Sequence, residues 1–436
     1  MSAGFPMSAG FPMSTGGAAS PGPMDAGGGL TAVAMSGGLD SSVAAHLLAA
    51  RGEPVVGLSM LLWEGVGEPA APRSSGTASG SGRCCGALDL GDARRVAEQI
   101  GIPHYTLRMD DDFRRHVVEP FVDDYLAGRT PSPCVRCNTW VKFDLLLERA
   151  RRFGAERVAT GHYARLVDGP AGRELHAARV PGKDQSYFLF ELDQRQLAAA
   201  CFPLGELSKE EVRDLARAAG LLVAEKGESM ETCFVADDVA SFVARQARRR
   251  GLAGASGGTA ADGAGNGGEG QQSGASPPPD SLDEPATVVD PDGRVLGTGA
   301  PYYRYTVGQR RGLGAAAGGR RAGERLYVLS VDPAANRVTA GSAADLACRG
   351  LVGSRLHWIN PDLDLAAADA ATRGVEATVK LRSRHPGVDA LVRPLPGGGC
   401  EVDFAEPQTA VAPGQAAVFY SGSRVLGGCW IEAGVS

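Results

Sequence analysis

The chain has 436 residues, is 43% hydrophobic and 22% charged, and carries a formal net charge of −6. That length allows two to four domains with a proper core, and no apolar run approaches the roughly 18 residues of a membrane span. The acidic balance argues against indiscriminate nucleic-acid binding but permits a local basic face, and nine cysteines in so long a chain suggest working thiols in a reducing compartment rather than a disulfide scaffold.

Met1 to Leu30 repeats MSAGFP, is otherwise mostly Gly, Ser, Ala and Pro, and contains no Lys or Arg. It reads as a disordered tail and lacks the charge of a signal or transit peptide. Thr31 to Met35 is a short apolar run that predicts a buried strand. Ser36, Gly37 and Gly38 turn the chain, and Asp40, Ser41 and Ser42 open a helix. Val55 to Leu61 is a second strand. Gly67 to Gly82 reads as a polar loop, Asp92 to Ile100 as a helix and His104 to Met109 as a strand. Phe113 to Leu126 and Asn138 to Arg152 are helices by period, and Arg157 to Thr160 is a further strand. Such alternation predicts an α/β parallel sheet. Ligands then gather outside the carboxyl ends of the strands, where Ser36 to Ser42 and Gly161-His162 both fall.

Leu207 to Ala219 is an amphipathic helix that stops at Gly220. Gly251 to Asp280 is mostly Gly, Ala and Ser, and its only large aliphatic is Leu252. Such a segment cannot bury enough surface to offset its ordering entropy and reads as a disordered insert. After Pro285 the signals turn to β, over Ala286 to Val289, Arg325 to Val331, Val375 to Leu381, Ala390 to Leu395, Glu401 to Phe404 and Ala416 to Tyr420. One or two small β-barrels are expected there. Pairs of arginines such as Arg94-Arg95 and Arg310-Arg311 read first as surface solvation.

The stretch VAMSGGLDSS, Val33 to Ser42, combines strand, glycine turn and helix N-terminus. The first amides of a helix lack internal partners and carry partial positive charge, so such a junction binds anions. It is not the Gly-x-x-x-x-Gly-Lys phosphate loop, because no Lys precedes Lys142. It resembles instead the SGGxDS loop of the ATP pyrophosphatases, which cradles pyrophosphate and favours cleavage between the α- and β-phosphates.

Pro131 to Phe143 reads PSPCVRCNTWVKF, with Cys134 and Cys137 just before a helix. A helix N-terminus makes a thiolate more available. The residues alone leave three readings open: a redox pair, half of a zinc site, or a single nucleophile. Cys84-Cys85 has the wrong spacing to complete a four-cysteine zinc site. Cys233, in ESMETCFV, stands beside Phe234, and that neighbour by itself suggests a buried, inert thiol.

Eight blocks in one order carry a resemblance: SGGLDSS, GRTPSPCVRCNTWVKF, ATGHYAR, KDQSYFLF, FPLGEL, TCF, YTVGQRRGLG, and PGQAAVFY with RVLGGCWI. Together they are similar to the tRNA-specific 2-thiouridylases, from about Ala32 to Glu432 excepting the Gly-rich insert. The resemblance implies three domains after the tail (1–30): an ATP-pyrophosphatase (PP-loop) α/β domain (31–232), a small, mainly β central domain (233–343, interrupted by the insert 251–280) and a C-terminal β-barrel (344–436). It implies ATP- and Mg²⁺-dependent thiolation of the wobble uridine of tRNA. By position, Ala34, Met35, Ser36, Gly37, Gly38, Leu39, Asp40 and Ser41 would hold ATP, with Met60 and Gly161 near the adenosine and Asp40 a candidate for Mg²⁺. Cys137 stands at the family's nucleophile and Cys233 at its persulfide-bearing cysteine. Ser132, Pro133 and Cys134 would lie beside the target base. His162, Lys183, Asp184, Gln185, Arg382, Ser383 and Gln415 stand at tRNA-contacting positions. The partners implied are the anticodon loop and a sulfur-donor protein, such as a cysteine desulfurase or a sulfur relay, in bacterial cytoplasm or in a mitochondrion or plastid.

Four positions depart from the family pattern. Cys134 replaces an Asp common in relatives, and with Cys137 and Cys233 it could ligate an iron–sulfur cluster through three thiolates. Ser383 replaces an aromatic, Gly297-Thr298-Gly299 lacks a His, and Cys429 interrupts a glycine triplet. The rival readings are another PP-loop synthetase, which would not need both cysteines, and a non-catalytic RNA-binding protein with a vestigial ATP site.

Overall fold

The computed structural model describes residues 29–63, 87–227, 232–235, 237–252, 282–313, 325–360, 373–409 and 411–436. Nearly all of the expected tail, the loop Gly67 to Gly82, Cys84-Cys85 and the bulk of the Gly-rich insert lie outside the described residues.

The first unit is a parallel sheet. Its strands are β1 (Leu30–Ala34), β2 (Val55–Leu61), β3 (His104–Arg108), β4 (Ala155–Ala159) and, after a hairpin of β5 (Ala164–Gly169) and β6 (Gly172–Ala177), β7 (Ala200–Cys201). They stand in the order β3-β2-β1-β4-β7, every neighbouring pair parallel. The continuous apolar run of β1 is explained by burial on both faces. Ala32 and Ala34 join one core with Val56, Leu58, Phe113, Phe121 and Phe143. Val33 and Met35 join the other with Val43, Leu48, Val96 and Val212. The strand order reverses between β1 and β4. The connections after these two strands diverge there and leave a crevice at their carboxyl ends.

Helices α1 (Leu39–Ala50) and α2 (Ala87–Ile100) supply side chains to the second of these cores. One long helical run leads from α3 (Asp110–Phe113) through π-helical turns to α4 (Glu119–Leu126). Another leads from α5 (Pro133–Arg136) through π-helical turns over Cys137–Leu145 to α6 (Leu146–Arg151). This second run starts earlier than the hydrophobic period indicated, because Pro133 stands in its first turn, where a missing N–H costs nothing. Cys134 and Cys137 therefore lie on the helix rather than before it. Three shorter helices follow: α7 (Gln194–Ala199), α8 (Lys209–Ala218) and α9 (Val239–Arg249).

A central four-stranded sheet contains β8 (Thr287–Val289), β9 (Val295–Thr298), β10 (Tyr327–Asp332) and β11 (Arg337–Gly341), in the order β10-β11-β8-β9. Asp290 makes the β8–β9 turn, its Oδ1 accepting the amides of Asp292 (3.1 Å) and Arg294 (2.9 Å).

The C-terminal unit is a closed antiparallel barrel of β12 (Cys348–Trp358), β13 (Val375–Lys380), β14 (Val388–Leu395), β15 (Gly399–Gln408), β16 (Ala416–Ser421) and β17 (Arg424–Val435). Its order, β12-β15-β14-β13-β16-β17, closes where β12 meets β17. The barrel is tied to the first unit where Arg424 pairs with His176 of β6. Strands β12 and β17 are hard to read in sequence because glycines interrupt them. A Cβ on Gly427 would lie 2.0 Å from the carbonyl oxygen of His357, so the close approach of these two strands requires the residue that breaks the pattern.

Candidate active site

The loop between β1 and α1 is held rigidly. Gly37 has φ +73°, and a Cβ there would lie 2.0 Å from the carbonyl oxygen of Asp89, so only glycine fits. Ser41 Oγ accepts the amide of Ser36 at 3.2 Å, and Ser42 Oγ donates to the carbonyl of Gly38 at 2.8 Å. Lys226 Nζ donates to Gly37 O (2.9 Å), Asp89 Oδ1 (2.6 Å) and Asp92 Oδ2 (2.7 Å). Three acceptors match the three donors of an ammonium, so this lysine braces the loop against α2. Gly161 closes the loop from β4. Its ideal Cβ would stand 2.7 Å from the backbone of Asp40 and Ser41.

A cavity of about 430 Å³ opens above this loop. Ala34, Met35, Ser36, Gly38, Leu39, Asp40 and Ser41 line one end, with Met60, Gly161 and His162 beside them. Pro133, Cys134 and Cys137 line it from the second helical run, and Thr232, Cys233 and Phe234 from a segment far along the chain. Cys137 and Cys233 therefore face one space, together with the loop Ser36–Ser41. Phe234 is 4% exposed and packs edge-on against Phe113 and Phe121, with centroids 5.5 and 5.1 Å apart. The expectation drawn from Phe234 is corrected here. The phenylalanine takes the core position and leaves Cys233 at the cavity wall.

Lys183 and Gln185 also line the cavity, and Gln185 Oε1 accepts the amide of Tyr163 at 2.9 Å. Six of the residues singled out in the sequence do not line it. Gly37 packs against the backbone of Asp89, and Ser132 is buried, flanking the N-terminus of α5. Asp184 builds a turn instead, accepting the amides of Ala178 (3.1 Å) and Ser186 (3.0 Å). Arg382 and Ser383 lie in the turn after β13. Gln415 Nε2 donates to the carbonyls of Thr130 (2.8 Å) and Pro131 (3.2 Å), so the barrel holds the strap that leads into Ser132–Cys137.

Lys142, Lys183, Lys209 and Lys226 all reach the cavity wall, which suits a polyanionic ligand. Asp40 accepts from Lys209 Nζ at 2.7 and 2.9 Å and from the Tyr163 hydroxyl at 2.8 Å. Burial and the nearby Lys142 charge push the His162 pKa well below its ordinary value, so the ring is neutral at pH 7. Its Nδ1 is 2.7 Å from the Thr160 hydroxyl.

Among the described residues no three His, Cys, Asp or Glu side chains converge as a metal-holding group. A Mg²⁺ ion needs only one or two carboxylates when it arrives on phosphates, and Asp40 beside the loop fits that demand. A cluster needs three converging thiolates. Cys134, Cys137 and Cys233 share the cavity but do not converge in this way, so they do not fit a cluster in this arrangement.

Sequence reading missed Lys209, Lys226 and Asp89. Only the Ser208–Glu211 capping box, S-x-x-E, marks the helix start that presents Lys209; nothing local marks Lys226.

Three family models match in series: a tRNA methyl transferase HUP domain over residues 30–237, a tRNA methyl transferase PRC-barrel domain over 282–342 and an aminomethyltransferase β-barrel domain over 348–431. The chain is 44% identical to the tRNA-specific 2-thiouridylase MnmA of Geotalea uraniireducens, covering 93% of this chain and 95% of that one. Identity to the same-named proteins of Solibacter usitatus and Geobacter metallireducens is 45%, over 92% and 93% of this chain and 98% and 97% of theirs. The domain descriptions mention methyl transfer, whereas these near-full-length relatives are named for thiolation. Identity at that level over nearly the whole chain outweighs a domain title.

Proposed function

This chain belongs to the tRNA-specific 2-thiouridylase family, and we propose that it uses ATP to replace the C2 oxygen of a tRNA wobble uridine with sulfur. One observation carries the reading: Cys137 and Cys233 line the same cavity as the loop Ser36–Ser41. A carbonyl oxygen is a poor leaving group. Its attack on the α-phosphate of ATP, with departure of pyrophosphate, turns it into an AMP ester. The amides at the start of α1 stabilise the charge on the departing pyrophosphate. Mg²⁺, held by Asp40 and the phosphates, would neutralise phosphate charge.

The terminal sulfur of a persulfide on Cys233 then attacks C2, and AMP leaves. Cys137 attacks Sγ of Cys233, and the S–S bond breaks with its electron pair going to the sulfur now on uridine. A Cys137–Cys233 disulfide remains, and a dithiol reductant resets it with two electrons and two protons. Cys137 could equally release the sulfur before it attacks C2; both orders require both thiols. His162, Lys183, Gln185, Arg382, Ser383 and Gln415 are read as tRNA contacts, either directly or through the segments they hold. An anticodon loop keeps the cost of extruding the base small. A cysteine desulfurase or sulfur relay supplies the persulfide. The bacterial relatives favour the cytoplasm, or an organelle of bacterial descent, where such donors and reductants operate.

The test is incubation with tRNA, ATP, Mg²⁺ and a sulfur donor, with 2-thiouridine read by mass spectrometry. Cys137→Ser and Cys233→Ser should each abolish the product. Full activity in either variant rejects these thiol roles. ATP cleavage by the wild type without 2-thiouridine would favour the synthetase reading, and no ATP cleavage at all would favour the RNA-binding one. A three-thiolate cluster, the second reading of Cys134, finds no converging ligand set among the described residues, and no step above uses one. Anaerobic protein without visible cluster absorption dismisses it.

A further inference from the structure

The loop Ser36–Ser42 contains no lysine, yet a loop that handles ATP phosphates benefits from a cation that reaches beyond its amides. The fold brings two lysines to it from distant sequence. Lys226 is already occupied by Gly37, Asp89 and Asp92. Lys209 stands differently. It occupies the first turn of α8, lines the cavity, and meets the loop through the Asp40 carboxylate. Its ammonium also lies 5.9 Å from the centre of the Tyr163 ring.

The segment FPLGEL delivers it there. Strand β7 ends at Cys201 beside β4, and Leu204 is buried in the sheet core. Gly205 lies so close to the hairpin that a Cβ would be 2.0 Å from the carbonyl oxygen of Ala164. Ser208 then caps α8, accepting the Glu211 amide at 3.1 Å and fixing where the first turn begins. Leu204, Gly205 and Ser208 together set the position of residue 209 at the crevice.

We propose that Lys209 is the phosphate-binding cation of this site, exchanging the Asp40 carboxylate for the β- and γ-phosphates of ATP when the nucleotide enters. The exchange keeps the ammonium paired throughout and releases the Asp40 carboxylate for a cation that accompanies the phosphates. A triphosphate tail attracts an ammonium more strongly than one carboxylate does, because it carries more charge and more acceptors. The proposal deepens the ATP-dependent reading above and rests on it. Binding alone tests it, without tRNA or a sulfur donor, so a failure of thiolation does not count against it.

The experiment is calorimetric titration of the full chain with ATP, inorganic pyrophosphate and AMP. Lys209→Gln should weaken ATP and pyrophosphate roughly tenfold to hundredfold, the worth of a charged hydrogen bond, and leave AMP within twofold. Lys209→Arg should recover part of the loss. Unchanged pyrophosphate affinity in Lys209→Gln overturns the proposal, and so does an equal loss for AMP, which marks a merely structural lysine. Asp40→Asn, titrated with pyrophosphate in EDTA, should bind at least as well as the wild type, because a competitor for Lys209 has gone. Weaker binding overturns the exchange.

Discussion

The ring of Phe234 meets Phe113 edge-on, centroids 5.5 Å apart at 73°, while the preceding residue, Cys233, lines the cavity. Phe234 also meets Phe242 at 5.4 Å. One aromatic anchor thus fixes a thiol in the segment 232–235, which is neither helix nor strand.

Replacement of that anchor has two separable effects. Phe234→Ala should destabilise the chain by about 3–5 kcal/mol, the usual cost of removing a buried ring, read as a lower urea midpoint. It should also make Cys233 alkylate faster and thiolation slower at temperatures where the protein stays folded. Phe234→Leu, which refills most of the space, should recover both. A stable Phe234→Ala variant with unchanged Cys233 reactivity would contradict the anchoring role.

Gly161 offers a test of the loop. A methyl there would meet the backbone of Asp40 and Ser41 at 2.7 Å, and backbone cannot rotate away as a side chain can. Gly161→Ala should therefore cost about 1–3 kcal/mol of stability and displace the first turn of α1. Both AMP and pyrophosphate affinity should fall, in contrast to Lys209→Gln, which spares AMP. Wild-type nucleotide affinity in a folded Gly161→Ala protein would show that the contact between β4 and α1 does not shape the site.

Much of this architecture was legible because its causes are local. Val55 to Leu61 reads as a strand to the residue, since a buried parallel strand is a run of β-branched and apolar side chains. The Ser36–Ser42 junction reads as a turn into a helix by composition, and the chain turns there from β1 into α1. Three features were not legible, each because its cause is tertiary. The glycines of β17 mimic loop residues until β12 is seen lying against them. Cys233 reads as core until Phe234 is seen taking that place. Lys209 and Lys226 carry no motif for where an ammonium points; a capping box fixes where a helix begins, not what its first residue meets.

His162 gives a pH signature. Its ring is enclosed by Phe143 and Phe202, with centroids 6.4 and 6.0 Å away, it bonds Thr160, and Lys142 adds positive charge nearby. Burial first, and Lys142 second, hold its pKa well below 6.5. Above about pH 6.5 the ring is neutral both folded and unfolded, and it adds no pH dependence. As pH falls below that value the unfolded chain takes up a proton that the folded site resists. Stability should then drop by up to about 1.4 kcal/mol per pH unit until the depressed folded value is reached. His104 and His385 are shifted in the same direction, chiefly by burial, so the wild-type curve alone does not isolate His162. The difference between wild type and His162→Gln does. Urea midpoints measured from pH 7.5 down to 5 should fall more steeply for the wild type, and the two curves should run parallel above pH 7. Parallel curves over the whole range would mean that the folded protein admits the proton on His162 freely, and that the ring is not held neutral in the cavity that Cys137 and Cys233 also line.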